Sequence, residues 1–163
     1  MKYAGGFFKT SSVSERKVKV YRPYQIREDS EEQTGSVYQV EKKDSWFKTT
    51  YFYEMILQGV SYQLYPMALG SEGGKHSIYC DDKQIGQINK ASEVHNGLHC
   101  YDIYVVNWQA AVVAVLFSLY SYVTVFYKPC EKVTKSYERY MSVTTNKTLK
   151  EKYNPDFVGS IQP

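Results

Sequence analysis

The sequence is short of the residues that do chemistry. Its 163 residues include three histidines and three cysteines, and none of them falls at the spacing of a metal site. Cys80, Cys100 and Cys130 are odd in number, so free thiols in a reducing, cytoplasmic setting are expected. A Cys80–Cys100 disulfide is expected only in an exported protein, and the first ten residues (MKYAGGFFKT) hold no apolar h-region to direct export. Charge of one sign is also missing. Twenty Lys and Arg against seventeen Asp and Glu leave a formal +3, and the signs are interleaved, a pattern that does not point to nucleic acid.

Catalytic and ligand-binding spacings are equally thin. His76 and Cys80 lie four apart, about 13 Å along one strand face, too far to chelate together without a sharp bend. His95 and His99 flank Asn96-Gly97 and can converge, but two ligands do not make a site. Cys100 follows His99 directly, and neighbours on a strand point to opposite faces, which weakens a Cys–His nucleophile pair. Asp81-Asp82 reads as turn chemistry. The glycine-rich GSEGG runs into Lys75-His76 rather than the Lys-Thr or Lys-Ser of a phosphate loop. No catalytic residue, cofactor or metal is therefore expected, and the chain reads as non-enzymatic.

What is abundant is tyrosine, seventeen in all. Tyrosine favours strands, where its ring covers a sheet face and its hydroxyl stays wet. Strand-length segments run through the first hundred residues. Tyr3–Phe8 is apolar around Gly5-Gly6. Arg16–Arg22 alternates until Pro23, which should end the strand or confine it to an edge. Glu28–Gly35 reads as a charged loop, Ser36–Glu41 as a strand, and Trp46–Leu57 as a strand apolar on both faces, hence covered on both. Gln58-Gly59 is a tight turn into Val60–Tyr65, and Gly70–Gly74 is a loop. Ser77–Cys80 and Gln84–Lys90 form a hairpin around Asp81-Asp82-Lys83. Ile85 and Ile88 are three apart with Gly86 between them, so a bulge should bring both inward. Ala91–Gly97 reads as a loop and Cys100–Val106 as a further strand. Strands so spaced, without helices between them, predict an antiparallel sandwich or barrel, a single domain spanning 1–163.

Ala110–Phe126 (AAVVAVLFSLYSYVTVF) is seventeen residues without a charge. Crossing about 30 Å of hydrocarbon takes roughly 20 apolar residues. Trp108–Tyr127 would supply them, with its terminal aromatics at the interfaces and Lys128 behind. Against a span, the run changes character. Gln109–Ser121 is rich in alanine and leucine and suits a helix; Tyr122–Lys128 is β-branched and aromatic and suits a strand. A helix of about 13 residues is only about 20 Å long. The positive flank after the run would also place residues 1–107 outside without a signal. The preferred reading is a buried core helix, with the small residues Ala110, Ala114, Ser118 and Ser121 letting it approach the strands closely.

The hairpin CDDKQIGQINK, the strand YDIYVV and the helix WQAAVVAVLFSL, in that order, resemble the tubby C-terminal-like superfamily, which includes LURP-one-related proteins and phospholipid scramblases. The matching residues are Ile85-Gly86-Gln87-Ile88 and Tyr101-Asp102-Ile103-Tyr104, within about residues 75 to 122, and the layout looks like a compact bacterial tubby-like protein. The resemblance implies an antiparallel β-barrel of about a dozen strands enclosing one hydrophobic central helix, here 109–121. It departs from the family in running on for about forty residues. Tyr122–Tyr127 and Lys135–Thr145 read as further strands, and Thr148–Tyr153 as a short helical turn capped by Asn154-Pro155.

Members of the tubby branch bind phosphoinositide headgroups through basic barrel residues, but none of those positions can be aligned here. Arg16, Lys17 and Lys19 form the basic patch of this chain. The expected function is a binding or scaffold module, cytoplasmic or peripheral at the membrane, meeting anionic phospholipid or an acidic protein partner through that patch. The alternatives are a single-span protein anchored by residues 108–127 and an enzyme with an unrecognised site in the barrel mouth.

Overall fold

A computed structural model describes residues 2–3, 18–27, 33–43, 46, 49–68, 74–127, 129–130, 141–142 and 147–161. Eight strands follow one another in a single antiparallel meander: β1 (Lys2–Tyr3), β2 (Val18–Arg27), β3 (Gln33–Lys43), β4 (Thr49–Leu57), β5 (Val60–Ala68), β6 (Gly74–Cys80), β7 (Lys83–His95) and β8 (Leu98–Val105). Two of the hairpins close through Gln58-Gly59 and Asn96-Gly97, whose φ angles are positive at both central residues. That is the backbone that matches the twist of the flanking strands, and glycine supplies it without strain.

The bulge predicted at Ile85 is present. Ile78 pairs Gly86 and Tyr79 pairs Gln84, so Ile85 has no partner across the ladder, and both Ile85 and Ile88 turn into the concave core. Pro23, by contrast, does not end its strand. It lies with Arg22 (φ 51°) in a second bulge between Tyr21 and Tyr24, so the missing N–H falls where the ladder is already interrupted. Ala91–His95 is likewise strand rather than loop. A register shift between Lys90 and Val94 absorbs its extra residues and carries β7 on to the turn.

Helix α1 (Trp108–Ser121) starts at an Asn107 cap whose side chain accepts from the Ala110 N–H at 2.9 Å. Its sheet-facing side is Ala110, Val113, Ala114, Phe117, Tyr120 and Ser121; of the expected small-residue stripe Ala110, Ala114 and Ser121 are buried there, while Ser118 is half-buried. This side meets Val37, Tyr53, Met55, Leu64, Ile78 and Ile88, with Tyr24, Ile26 and Ile103 beside them. Residues from β2 through β8 thus share one core with the helix, so the sheet curls around it. Tyr120 packs edge-on against Tyr24 and Tyr53, and its hydroxyl donates to the Arg22 carbonyl at 3.0 Å.

The strand expected at Tyr122–Tyr127 is not formed. The helix continues through a π-helical turn, Tyr122–Phe126, closed by Tyr127 N–H to Tyr122 C=O at 2.9 Å. Thr124 Oγ1 donates to the Tyr120 carbonyl at 2.8 Å, and the Arg22 guanidinium donates to the Thr124 carbonyl at 2.8 Å. These side-chain partners override the β preference of the Val-Thr-Val run. The apolar rod is therefore 19 residues, Trp108–Phe126.

Among the described residues no pairing joins β8 back to β1 or β2. The sheet is open along one side, and the rod lies there, bonded to β2 through Arg22 and packed on β7 and β8. The convex face carries a second core of Val40, Phe52, Tyr65, Met67, Tyr79 and Leu149, so β4 is apolar on both faces because both are covered. The covering layer is C-terminal. β9 (Met141–Ser142) pairs in parallel with Met67-Ala68, α2 (Lys147–Glu151) buries Leu149, and α3 (Phe157–Ile161) buries Phe157. The helical turn expected near Thr148 is thus present, and of the strand expected at Lys135–Thr145 only Met141–Ser142 lies within the described residues.

Candidate functional site

Of the predicted basic patch Arg16, Lys17 and Lys19, one residue lies among the described residues. Arg16 and Lys17 lie outside the described residues. Lys19 is exposed on β2, directly across from Glu41, which offsets its charge. Lys43 is exposed at the neighbouring end of β3, and Arg22 bridges to the rod.

The histidines and cysteines are scattered. His95 is exposed, 3.9 Å from Glu93. His76 is buried on the concave face, where burial and then the nearby Lys90 charge push its imidazole down to about 3. Cys80, Cys100 and Cys130 are free thiols, with Cys100 and Cys130 exposed. Burial and Asp81 raise the Cys80 thiol above its usual range. Cys100 and the half-buried His99 alternate across β8, so they make no nucleophile–base pair. Asp81 takes the left-handed conformation of a turn (φ 52°), and Asp82 pairs with Lys152 at 3.3 Å. Among the described residues no three of His, Cys, Asp and Glu are grouped to hold a metal ion.

The structure instead draws attention to the outward side of the rod. Trp108 (70 % exposed), Val112, Val115, Leu119 (51 %), Val123 and Tyr127 (52 %) follow at helical spacing and all face away from the sheet. Of the most apolar stretch of the rod, 39 % is buried. A helix apolar all round, placed on an open sheet rather than inside a closed wall, leaves one side bare. The spacing of this ridge was present in the sequence. Because every side of the helix is apolar, however, periodicity gave no sign of which side meets solvent.

Beside the ridge, between β8 and the rod, runs a groove of about 290 Å³ lined by Leu98, His99, Tyr101, Ile103, Val115, Ser118, Leu119 and Tyr122. Leu98, 65 % exposed, stands at its rim. The His99 ring packs 4.3 Å from Phe126 and against Tyr101 and Tyr122. Neither of its ring nitrogens, both shielded from solvent, has a hydrogen-bond partner among the described residues. Phe126 also meets Lys90, 3 % exposed, with Nζ 4.8 Å from the ring centroid and donating to the Ala91 carbonyl. Burial, then the Lys90 charge, hold the His99 imidazole below its ordinary value. Comparison with known proteins finds no family, no curated relative and no solved structure that matches this chain.

Proposed function

We propose that this protein is a non-enzymatic module that docks on the cytoplasmic surface of a membrane, with the outer side of α1 and its π-helical extension lying in the plane of the interface. The observation that carries the reading is the uncharged ridge from Trp108 to Tyr127, exposed along its length and ended at both extremes by an aromatic. Aromatic residues at the ends of an apolar stretch favour the headgroup level. A spanning orientation would pull Phe117 and Tyr120 out of the concave core and break the Tyr120–Arg22 bond, so the in-plane orientation is the one compatible with the folded sheet. The free thiols support a reducing compartment.

The magnitudes favour a reversible association. Four half-exposed aliphatic side chains and two aromatics contribute on the order of 1 kcal/mol each when covered. That is about the strength of one acyl anchor, which holds a protein only marginally without a second signal. Lys43 is exposed at the end of β3, and an exposed lysine brought near anionic lipid would add about 1 kcal/mol. A tubby-like fold belongs to this proposal in an open form, with the curled sheet wrapping the inner side of the helix and leaving the ridge exposed. The bulged Ile85-Gly86-Gln87-Ile88 hairpin and the helix on the concave face support it.

The test is vesicle co-sedimentation of the purified chain with and without phosphatidylserine. Wild type should sediment, more so with the anionic lipid, and alkaline carbonate should release it. Val115→Lys with Leu119→Lys should stay in the supernatant while keeping the wild-type circular dichroism and melting temperature. A double variant that still sediments overturns the ridge, and resistance to carbonate favours the spanning alternative.

A further inference from the structure

The elements that form the docking face carry almost no charge. Leu98 to Tyr127 takes in β8, the Asn107 cap and the whole rod, and its one charged residue is Asp102, exposed on β8. We infer that this face recognises loosely packed or strongly curved bilayer, entering gaps between headgroups instead of following headgroup charge. The inference rests on the in-plane docking of the rod and names the kind of membrane that such docking selects. Attraction to anionic headgroups needs lysine or arginine within a Debye length of the surface, and these elements hold neither. Lys128 follows them in the sequence, and Lys43 is exposed at the end of β3, so the charge contribution is small and measurable.

What inserts is bulky. The exposed row from Trp108 to Tyr127 runs the length of the rod, and Leu98, 65 % exposed, stands across the groove from Val115 and Leu119. At 1.5 Å per residue the row is about 30 Å long, and with a helix about 10 Å across its footprint is on the order of 300 Å². In a flat, well-packed leaflet that area must be opened against the cohesion of the lipids. Where curvature or small headgroups leave gaps it is already open, and the ridge covers apolar surface that water was touching. The wedge is also formed in advance. Tyr120 donates to the Arg22 carbonyl and the Arg22 guanidinium donates to the Thr124 carbonyl, so the inner side of the rod is held to β2 before it meets lipid. Binding therefore carries no cost of ordering the helix. A ridge only about as strong as one acyl anchor leaves the work of opening the leaflet to decide where the protein docks.

The experiment is flotation of the full chain with dioleoylphosphatidylcholine vesicles of about 30 nm and about 200 nm diameter at equal lipid concentration. The small vesicles should bind about tenfold more tightly than the large ones. Dioleoylglycerol, whose small headgroup opens gaps without curvature, should restore most of the difference when added to the large vesicles. Phosphatidylserine should add about fivefold, the share of one lysine, and only that part should disappear in high salt. Leu98→Asn should weaken binding to the small vesicles by about threefold and keep the wild-type melting temperature. Circular dichroism should be the same free and bound. Equal binding to both diameters, or binding that depends wholly on phosphatidylserine, would overturn this inference and leave the docking of the ridge in place. Helix gained on binding would overturn the preformed wedge. No binding to any vesicle would overturn the docking itself.

Discussion

His76 sits on the concave face at 4 % exposure, in a wall shared with Leu64, Ile88 and Phe117. Burial first, and then Lys90, push its proton affinity down from 6.5 to about 3. Between those values the unfolded chain binds a proton that the folded chain excludes. Stability should therefore be insensitive to this group above pH 6.5 and fall as the pH drops toward 3, by about 1.4 kcal/mol per unit at most. Urea unfolding at pH 7 and pH 5 should show a loss of about 2 kcal/mol from this residue. His76→Gln should remove that share and leave the smaller contribution of His99, whose affinity is lowered in the same sense. At this scale the sequence was legible where geometry is local. Ile85-Gly86-Gln87-Ile88 announces its bulge because two isoleucines at an odd spacing cannot otherwise face one core. Lys90 and His99 gave no such sign. Lys90 lies two residues from Ile88 and His99 two from Tyr101, on the same inward faces, but a polar side chain on a strand does not announce that it is buried.

The rod and β2 depend on each other through Arg22. Its guanidinium caps the Thr124 carbonyl, its own carbonyl accepts from Tyr120, and its backbone is left-handed at φ 51°. Arg22→Ala removes the cap and keeps the unfavourable backbone, so it should lower unfolding free energy by about 0.5–1.5 kcal/mol. Arg22→Gly removes the same cap and relieves the backbone, and should be the milder change by about 1 kcal/mol. Thermal melts of the two variants check the order, and an Ala variant as stable as the Gly variant would count against strain at this position. The helix itself was readable from Gln109 to Ser121, one residue short of its true start. Its continuation was not. Val123, Thr124 and Val125 carry β propensity, and what holds them helical is an arginine a hundred residues earlier in the chain.

At the scale of the molecule, two cores share one sheet, and the C-terminal layer closes the outer one. Leu149 is fully buried against Val40, Phe52, Tyr65, Met67 and Tyr79, and the next turn is fixed by Lys152 over the Tyr79 ring at 4.3 Å and by its pairing with Asp82. If this layer is part of the cooperative unit, Leu149→Ala should shift the whole unfolding transition by about 2–4 kcal/mol, because a cavity opens in a shared core. An unchanged midpoint by circular dichroism would make the layer a separable strap. The position of the rod also bears on how the chain is made. Every strand of the meander pairs with its neighbour in sequence, so hairpins can form one after another as the chain emerges, at little cost in loop closure. The contacts that tie the last strand's side of the sheet to the first run through the rod, from Arg22 to Tyr120 and Thr124. Until the ribosome has released that segment, the nascent sheet presents its concave apolar side uncovered. Newly made chains would then pass through a sticky, chaperone-dependent interval that ends only when the rod is delivered.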